Sequence, residues 1–216
     1  MRAVVVAHGD VATPDRDIAR AADLVIAADG GALALAEWGI VPHFIVGDLD
    51  SLGASRASEI EAQGATVISF PVAKDRSDLE LALRHALDAG ADEVVLLGIL
   101  GGARVDHALV NAMLLADPEY RARGVRATYG ATQLRALHGG ESMDLMGAAG
   151  DTVTLLPVAG DARGVRTHGL RYPLDGGSLP FGRSLGLSNE IASVPARVSI
   201  QSGVMLVIEI AQGGNT

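Results

Sequence analysis

Two aspartates, Asp48 and Asp50, directly follow the apolar run Phe44-Ile45-Val46 and a glycine, Gly47. Read as extended chain, a spacing of two sends both carboxylates to the same side. Paired hard oxygen donors suit Mg²⁺, which keeps several waters and takes one or two carboxylates plus substrate phosphates. Asp29, Asp75, Asp78 and Asp106 are available to join them. So many carboxylates would repel one another in an empty site, and a divalent cation removes that objection.

Other strand-like runs end in the same kinds of residue. His8-Gly9-Asp10 follows the first, Asp29-Gly30-Gly31 the second, Lys74-Asp75-Arg76-Ser77-Asp78 the fourth, and Gly101-Gly102-Ala103-Arg104-Val105-Asp106-His107 the fifth. In open parallel sheets, ligands sit beyond the carboxyl ends of the strands. Gly30-Gly31 and Gly101-Gly102 let backbone approach a ligand closely, and their amides can face phosphate oxygens. Lys74 and Arg104 supply positive charge. Lys74 is the only lysine among 17 basic residues, and a compact ammonium differs from a planar guanidinium as a phosphate ligand. A Mg²⁺-nucleoside triphosphate is the ligand that this edge suits. Singly, each residue has a plainer reading: Asp and Gly make turns, Ser77 caps a helix, and His107 is a helix histidine. The repetition along one edge favours a site.

The elements that must position this edge are legible as periodicity. Up to about residue 131, apolar runs (RAVVVA, DLVIAA, HFIVGD, ATVISF, EVVLLGI, VRATYG) alternate with helical patterns. Short runs that are almost wholly apolar fit strands buried on both faces, and strand–helix alternation predicts an α/β domain with a mainly parallel sheet. In SDLELALRHALDAG, Ser77 caps a helix, Leu79, Leu83 and Leu87 recur, and Gly90 stops it. From residue 132 strand-like runs are divided by Gly and Pro without a helical pattern, which predicts an all-β sandwich over 132–216. Gly139-Gly140 between two extended runs reads as a hairpin turn.

Composition narrows the function classes. The chain has 216 residues, 49% of them apolar, and a net charge of −9. That charge disfavours non-specific binding to nucleic acid or an anionic membrane. There is no cysteine, which excludes disulfides, thiolate metal sites and a cysteine nucleophile. No run approaches a membrane span, and Asp10 interrupts the first apolar run too early for a signal peptide. A cytoplasmic protein is expected. GxxxxGK[ST], GxGxxG after a strand, GxSxG and HExxH are all absent.

Four segments, in order, resemble the thiamine pyrophosphokinase family: ADGGALALAEWGIVPHFIVGDLDS, KDRSDLELAL, GILGGARVDHALVN and SLGLSNE. The resemblance implies an α/β domain at 1–131 that binds ATP and Mg²⁺, a β-sandwich at 132–216 that helps hold thiamine, and a homodimer with its active site between subunits. The implied reaction moves the β,γ-diphosphate of ATP to the thiamine hydroxyl. Asp48 and Asp50 would be the metal ligands, with Asp75 and Asp78 catalytic beside them. Asp29, Gly30, Gly31, Lys74, Gly101, Gly102, Arg104, Asp106 and His107 would lie on the ATP side, and Ser188 and Asn189 by the vitamin. Asn189 reads equally as a left-handed turn residue. The family has Arg directly after the paired glycines; here Ala103 intervenes. Trp38 is expected in the first domain's core, which leaves Tyr172 and Phe181 as the second domain's aromatic side chains. Two rivals are a related diphosphotransferase acting on another heterocyclic alcohol, such as a hydroxymethylpterin, and a nucleotide-sensing module that binds Mg-ATP without turnover.

Overall fold

A computed structural model describes residues 1–73, 75–121 and 123–213. The chain divides into two compact units, 1–114 with 122–130, and 115–121 with 131–216.

The first unit carries six strands: β1 (Arg2–Val6), β2 (Leu24–Ala28), β3 (Phe44–Gly47), β4 (Thr66–Ser69), β5 (Glu93–Leu97) and β6 (Val125–Tyr129). Their order is β6-β5-β1-β2-β3-β4, and every pairing among them is parallel. The helices are α1 (Asp15–Arg20), α2 (Gly31–Glu37), α3 (Ala54–Glu61), α4 (Asp78–Asp88) and α5 (Val105–Leu114). The chain lays down β1 to β4 on one side of β1 and then places β5 on the other. β1 therefore marks the topological switch point, where ligands enter such sheets. Val4, Val6, Val25, Ala27, Ile45, Val95 and Leu97 form the core of this unit, with Trp38 packed against it.

Helix α4 shows how its sequence sets its limits. Ser77 accepts a hydrogen bond from the Glu80 amide at 3.2 Å, satisfying one of the donors that a helix start leaves open. Gly90, at φ +87°, ends the turn that follows, in a conformation that costs glycine little. Leu79, Ala82, Leu83 and Ala86 face the core, while Leu87 is half-buried. Ser77→Ala is expected to lower unfolding free energy by about 1 kcal/mol, read by urea denaturation, with activity retained per folded molecule.

The second unit is a sandwich of two antiparallel sheets. One contains β12 (Asn189–Glu190), β9 (Thr152–Pro157), β14 (Val204–Ile210) and β7 (Thr132–His138); the other contains β11 (Asp175–Leu179), β10 (Ala162–His168), β13 (Arg197–Ser199) and β8 (Ser142–Asp144). Leu137, Leu155, Met205 and Val207 of the first sheet share one core with Val165, Leu179 and Val198 of the second.

Gly139-Gly140 does not close a hairpin. β7 pairs with β14, whereas β8 pairs with β13 in the opposite sheet. The turn carries the chain between layers, and its backbone bonds to Ile200 on both sides, Gly140 N–H to Ile200 O and Ile200 N–H to Glu141 O. Two extended runs around a Gly-Gly turn look alike whether the strands pair or switch sheets.

Candidate active site

Asp29, Asp48 and Asp50 each place a carboxylate oxygen within 4.8 Å of the others. Their burial is graded: Asp29 is buried, Asp48 half-buried and Asp50 exposed. Asp29 follows β2, and Asp48 and Asp50 follow the neighbouring β3. Parallel pairing of β2 with β3 thus brings the loops that carry the three to one edge.

The local geometry differs from extended chain. Leu49 has φ +64°, so the backbone turns between Asp48 and Asp50. A branched residue in the left-handed region costs roughly 1–2 kcal/mol, and Leu49 offsets this by packing its side chain on the core. Asp29 is also left-handed, at φ +43°. Its two oxygens accept the Ser51 and Leu52 amides at 3.1 and 3.2 Å. Asp48 Oδ1 accepts the Asp50 amide at 3.3 Å, and the Ser51 hydroxyl donates to Asp50 Oδ1 at 3.0 Å. The aspartates are therefore held by their own loop, with Asp29 as its buried anchor. Strain of this kind clusters where structure is over-determined for function. The donor set, three carboxylates graded from buried to exposed, fits a hard divalent cation that retains waters.

Asp78 opens helix α4 beside this cluster. A Cβ placed on Gly47 would lie 2.9 Å from Asp29 Cβ and 3.0 Å from the Asp78 carboxyl. Gly47 therefore lets the two side chains close over the end of β3. Asp75 is exposed and stands outside the three-carboxylate group. Lys74 lies outside the described residues.

Gly30, Gly31 and Gly101 have no room for a side chain, whereas Gly102 makes only ordinary contacts. A Cβ on Gly30 would overlap the His8 imidazole, and one on Gly31 would overlap the Val6 carbonyl oxygen. Gly101 and Gly102 are both left-handed, at φ +71° and +74°. The Gly102 amide donates to Asp10 Oδ1 at 3.1 Å, so it is spent within the protein. Nothing in the sequence marks this role of Asp10, because an aspartate in a turn carries no signal of the distant amide it accepts.

Arg104 and Asp106 form an exposed two-pronged pair, Nε to Oδ1 at 2.9 Å and Nη2 to Oδ2 at 2.6 Å. The Arg104 hydrogen bonds hold the Asp106 carboxyl far below the usual carboxylate range. The same pairing raises the Arg104 guanidinium, with a smaller contribution from the charge of Asp50. His107 is exposed.

In the second unit, Ser188 is left-handed at φ +54° and its amide donates to the Thr154 hydroxyl at 3.1 Å. Asn189 is buried and spends its side chain on Tyr172: Oδ1 accepts the Tyr172 amide at 3.0 Å and Nδ2 donates to the Tyr172 carbonyl at 2.8 Å. That bracing presents an exposed Tyr172 ring with the Arg171 guanidinium 5.9 Å from its centroid.

Comparison with known proteins gives the arrangement its family. The thiamin pyrophosphokinase catalytic domain matches residues 16–127, and the thiamin pyrophosphokinase vitamin B1 binding domain matches 142–205. Thiamine pyrophosphokinase from Bacillus subtilis is 28% identical over 185 residues, which is 86% of each chain. Its crystal structure superposes with a TM-score of 0.84 at 26% identity, covering 98% of this chain and 100% of that one. The Geobacillus thermodenitrificans thiamin pyrophosphokinase structure gives a TM-score of 0.82 at 26% identity, covering 97% of both chains. The catalytic-domain match alone spans just over half of the sequence, and the chain belongs to the thiamin pyrophosphokinase family.

Proposed function

We propose that the acidic cluster of the first unit binds Mg²⁺ together with ATP, and that the chain transfers the terminal diphosphate of that ATP to thiamine. Asp48 and Asp50 would hold the cation, while Asp29 fixes the loop that presents them. When bound, Mg²⁺ would neutralise phosphate oxygens and charge developing on the departing AMP. The thiamine hydroxyl attacks the β-phosphorus in line. A new O–P bond forms there, the bond from the β-phosphorus to the α,β-bridging oxygen breaks, and that oxygen leaves with AMP. The hydroxyl proton passes to a carboxylate among Asp48, Asp50, Asp75 and Asp78. The protein supplies position and electrostatics rather than a covalent intermediate.

On the nucleotide side we assign Asp29, Gly30, Gly31, Lys74, Gly101, Gly102, Arg104, Asp106 and His107. Ser188 and Asn189 belong to the vitamin side, where Asn189 acts by bracing Tyr172. The reading also includes a homodimer. Its support is helix α5, whose apolar side chains Val105, Leu109, Val110 and Met113 are 47–69% exposed. Such a stripe is normally covered by a partner, and a second copy would cover it. Among the described residues no helix is long and apolar enough to cross a membrane. The cytoplasm, where ATP and Mg²⁺ are both plentiful, is the compartment we assign.

The three-carboxylate group in a chain of this family carries the proposal. Its test offers ATP and Mg²⁺ with thiamine, and separately with a hydroxymethylpterin. AMP and thiamine diphosphate in equal amounts with thiamine alone is the expected result. AMP formed only with the pterin would select the related transferase, and nucleotide binding without AMP would select a sensor.

A further inference from the structure

The segment following β1 is tied to the loop following β5. Gly9 N–H donates to Gly98 O and Asp10 N–H to Leu100 O, both at 2.7 Å. The Asp10 side chain extends the connection, with Oδ1 accepting the Gly102 amide at 3.1 Å across 92 residues of sequence. A Cβ on Gly101 would overlap the Asp10 carboxylate, so the loop folds closely over it. Two successive left-handed glycines have many other conformations open to them, and an anchor is needed to hold one. Two residues further on stands Arg104, paired with Asp106.

We infer that Asp10 is a positioning residue: by holding the Gly102 amide it fixes the loop that leads into the Arg104–Asp106 pair, on the nucleotide side of the site. This rests on the ATP reading above. Asp10 acts as a hydrogen-bond acceptor and not through its charge. An uncompensated carboxylate here would oppose a triphosphate, whereas one engaged by an amide is partly offset. The bond joins the loops after two adjacent strands at the sheet's switch point, a longer-range task than closing a local turn.

The acceptor role separates two substitutions. Asp10→Ala removes the oxygen, while Asp10→Asn keeps Oδ1 and discards the charge. In Asp10→Ala, KM for Mg-ATP is expected to rise about tenfold, the worth of one such bond. The KM for thiamine and the thermal midpoint should hold. Gly102 amide exchange, followed by NMR, should accelerate by a similar factor. Asp10→Asn should restore both readouts to within about twofold of wild type. Placed on Arg104→Ala, Asp10→Ala should add little, because both act through one loop. Equal impairment in Asp10→Asn and Asp10→Ala would overturn the acceptor role. So would a Gly102 amide that exchanges equally fast with and without the Asp10 carboxylate. Failure of the ATP reading is distinguishable, since the wild-type chain would then form no AMP while the exchange experiment still judged the anchor.

Discussion

Asp48→Asn and Asp50→Asn are each expected to lower turnover on the order of 10²–10³-fold, comparable to deleting one preorganised electrostatic group at a reacting phosphate or carbonyl, with little change in thermal midpoint. Asparagine keeps the oxygen that accepts the Asp50 amide in one case and the Ser51 hydroxyl in the other. The loop should therefore survive while the charge that fits a divalent cation is lost. Asp29 should behave differently. Both of its oxygens accept amides, so Asp29→Asn turns an NH₂ group towards an N–H donor. That substitution should cost about 1–3 kcal/mol of stability in addition to activity. Initial rates of AMP release over a range of Mg²⁺ concentrations, alongside thermal melts, separate the two patterns. Wild-type Mg²⁺-dependent rates in both asparagine variants of Asp48 and Asp50 would remove these residues from the site.

Gly31→Ala is expected to be the most damaging single-methyl change in the first unit, at about 3 kcal/mol, the upper range for overpacking. The added carbon meets the Val6 carbonyl oxygen, a backbone atom of a central strand that cannot rotate away. Helix α2 would have to lift from the sheet, carrying Asp29 with it. Gly39→Ala is the control: Gly39 is left-handed at φ +66° but has open space around it. It should cost only about 1 kcal/mol, the price of the backbone conformation alone. Urea denaturation of the two variants compares crowding with strain directly. Similar midpoints for both would show that close packing at Gly31 is not what requires glycine.

The fold was readable because its strongest signal is physical. Strands buried on both faces must be apolar throughout, and the runs at 3–7, 44–46 and 94–97 have little else to be. Ser77 and Gly90 were readable for the same reason, since a helix start needs an acceptor and its end tolerates a left-handed glycine. The aspartates were found for a reason that proved incomplete. A two-residue spacing suggested extended chain, whereas Leu49 turns left-handed and the Asp29 carboxylate gathers the loop from a different strand. No local pattern forecasts a positive φ at leucine, because tertiary packing supports it. The hairpin expected at Gly139-Gly140 is instead a switch between sheets, because turn chemistry does not say which sheet receives the next strand. Asp10 went unassigned because its partner is 92 residues away.

On the proposed reading, the carboxylates of Asp48 and Asp50, following β3, share one divalent cation with the triphosphate of ATP. The most direct measurement is anomalous diffraction from crystals grown with Mn²⁺ and an unreactive ATP analogue. A metal peak is expected about 2.1 Å from oxygens of Asp48 and Asp50, with phosphate oxygens completing its coordination. An analogue bound with its metal ligated by neither aspartate would contradict that reading.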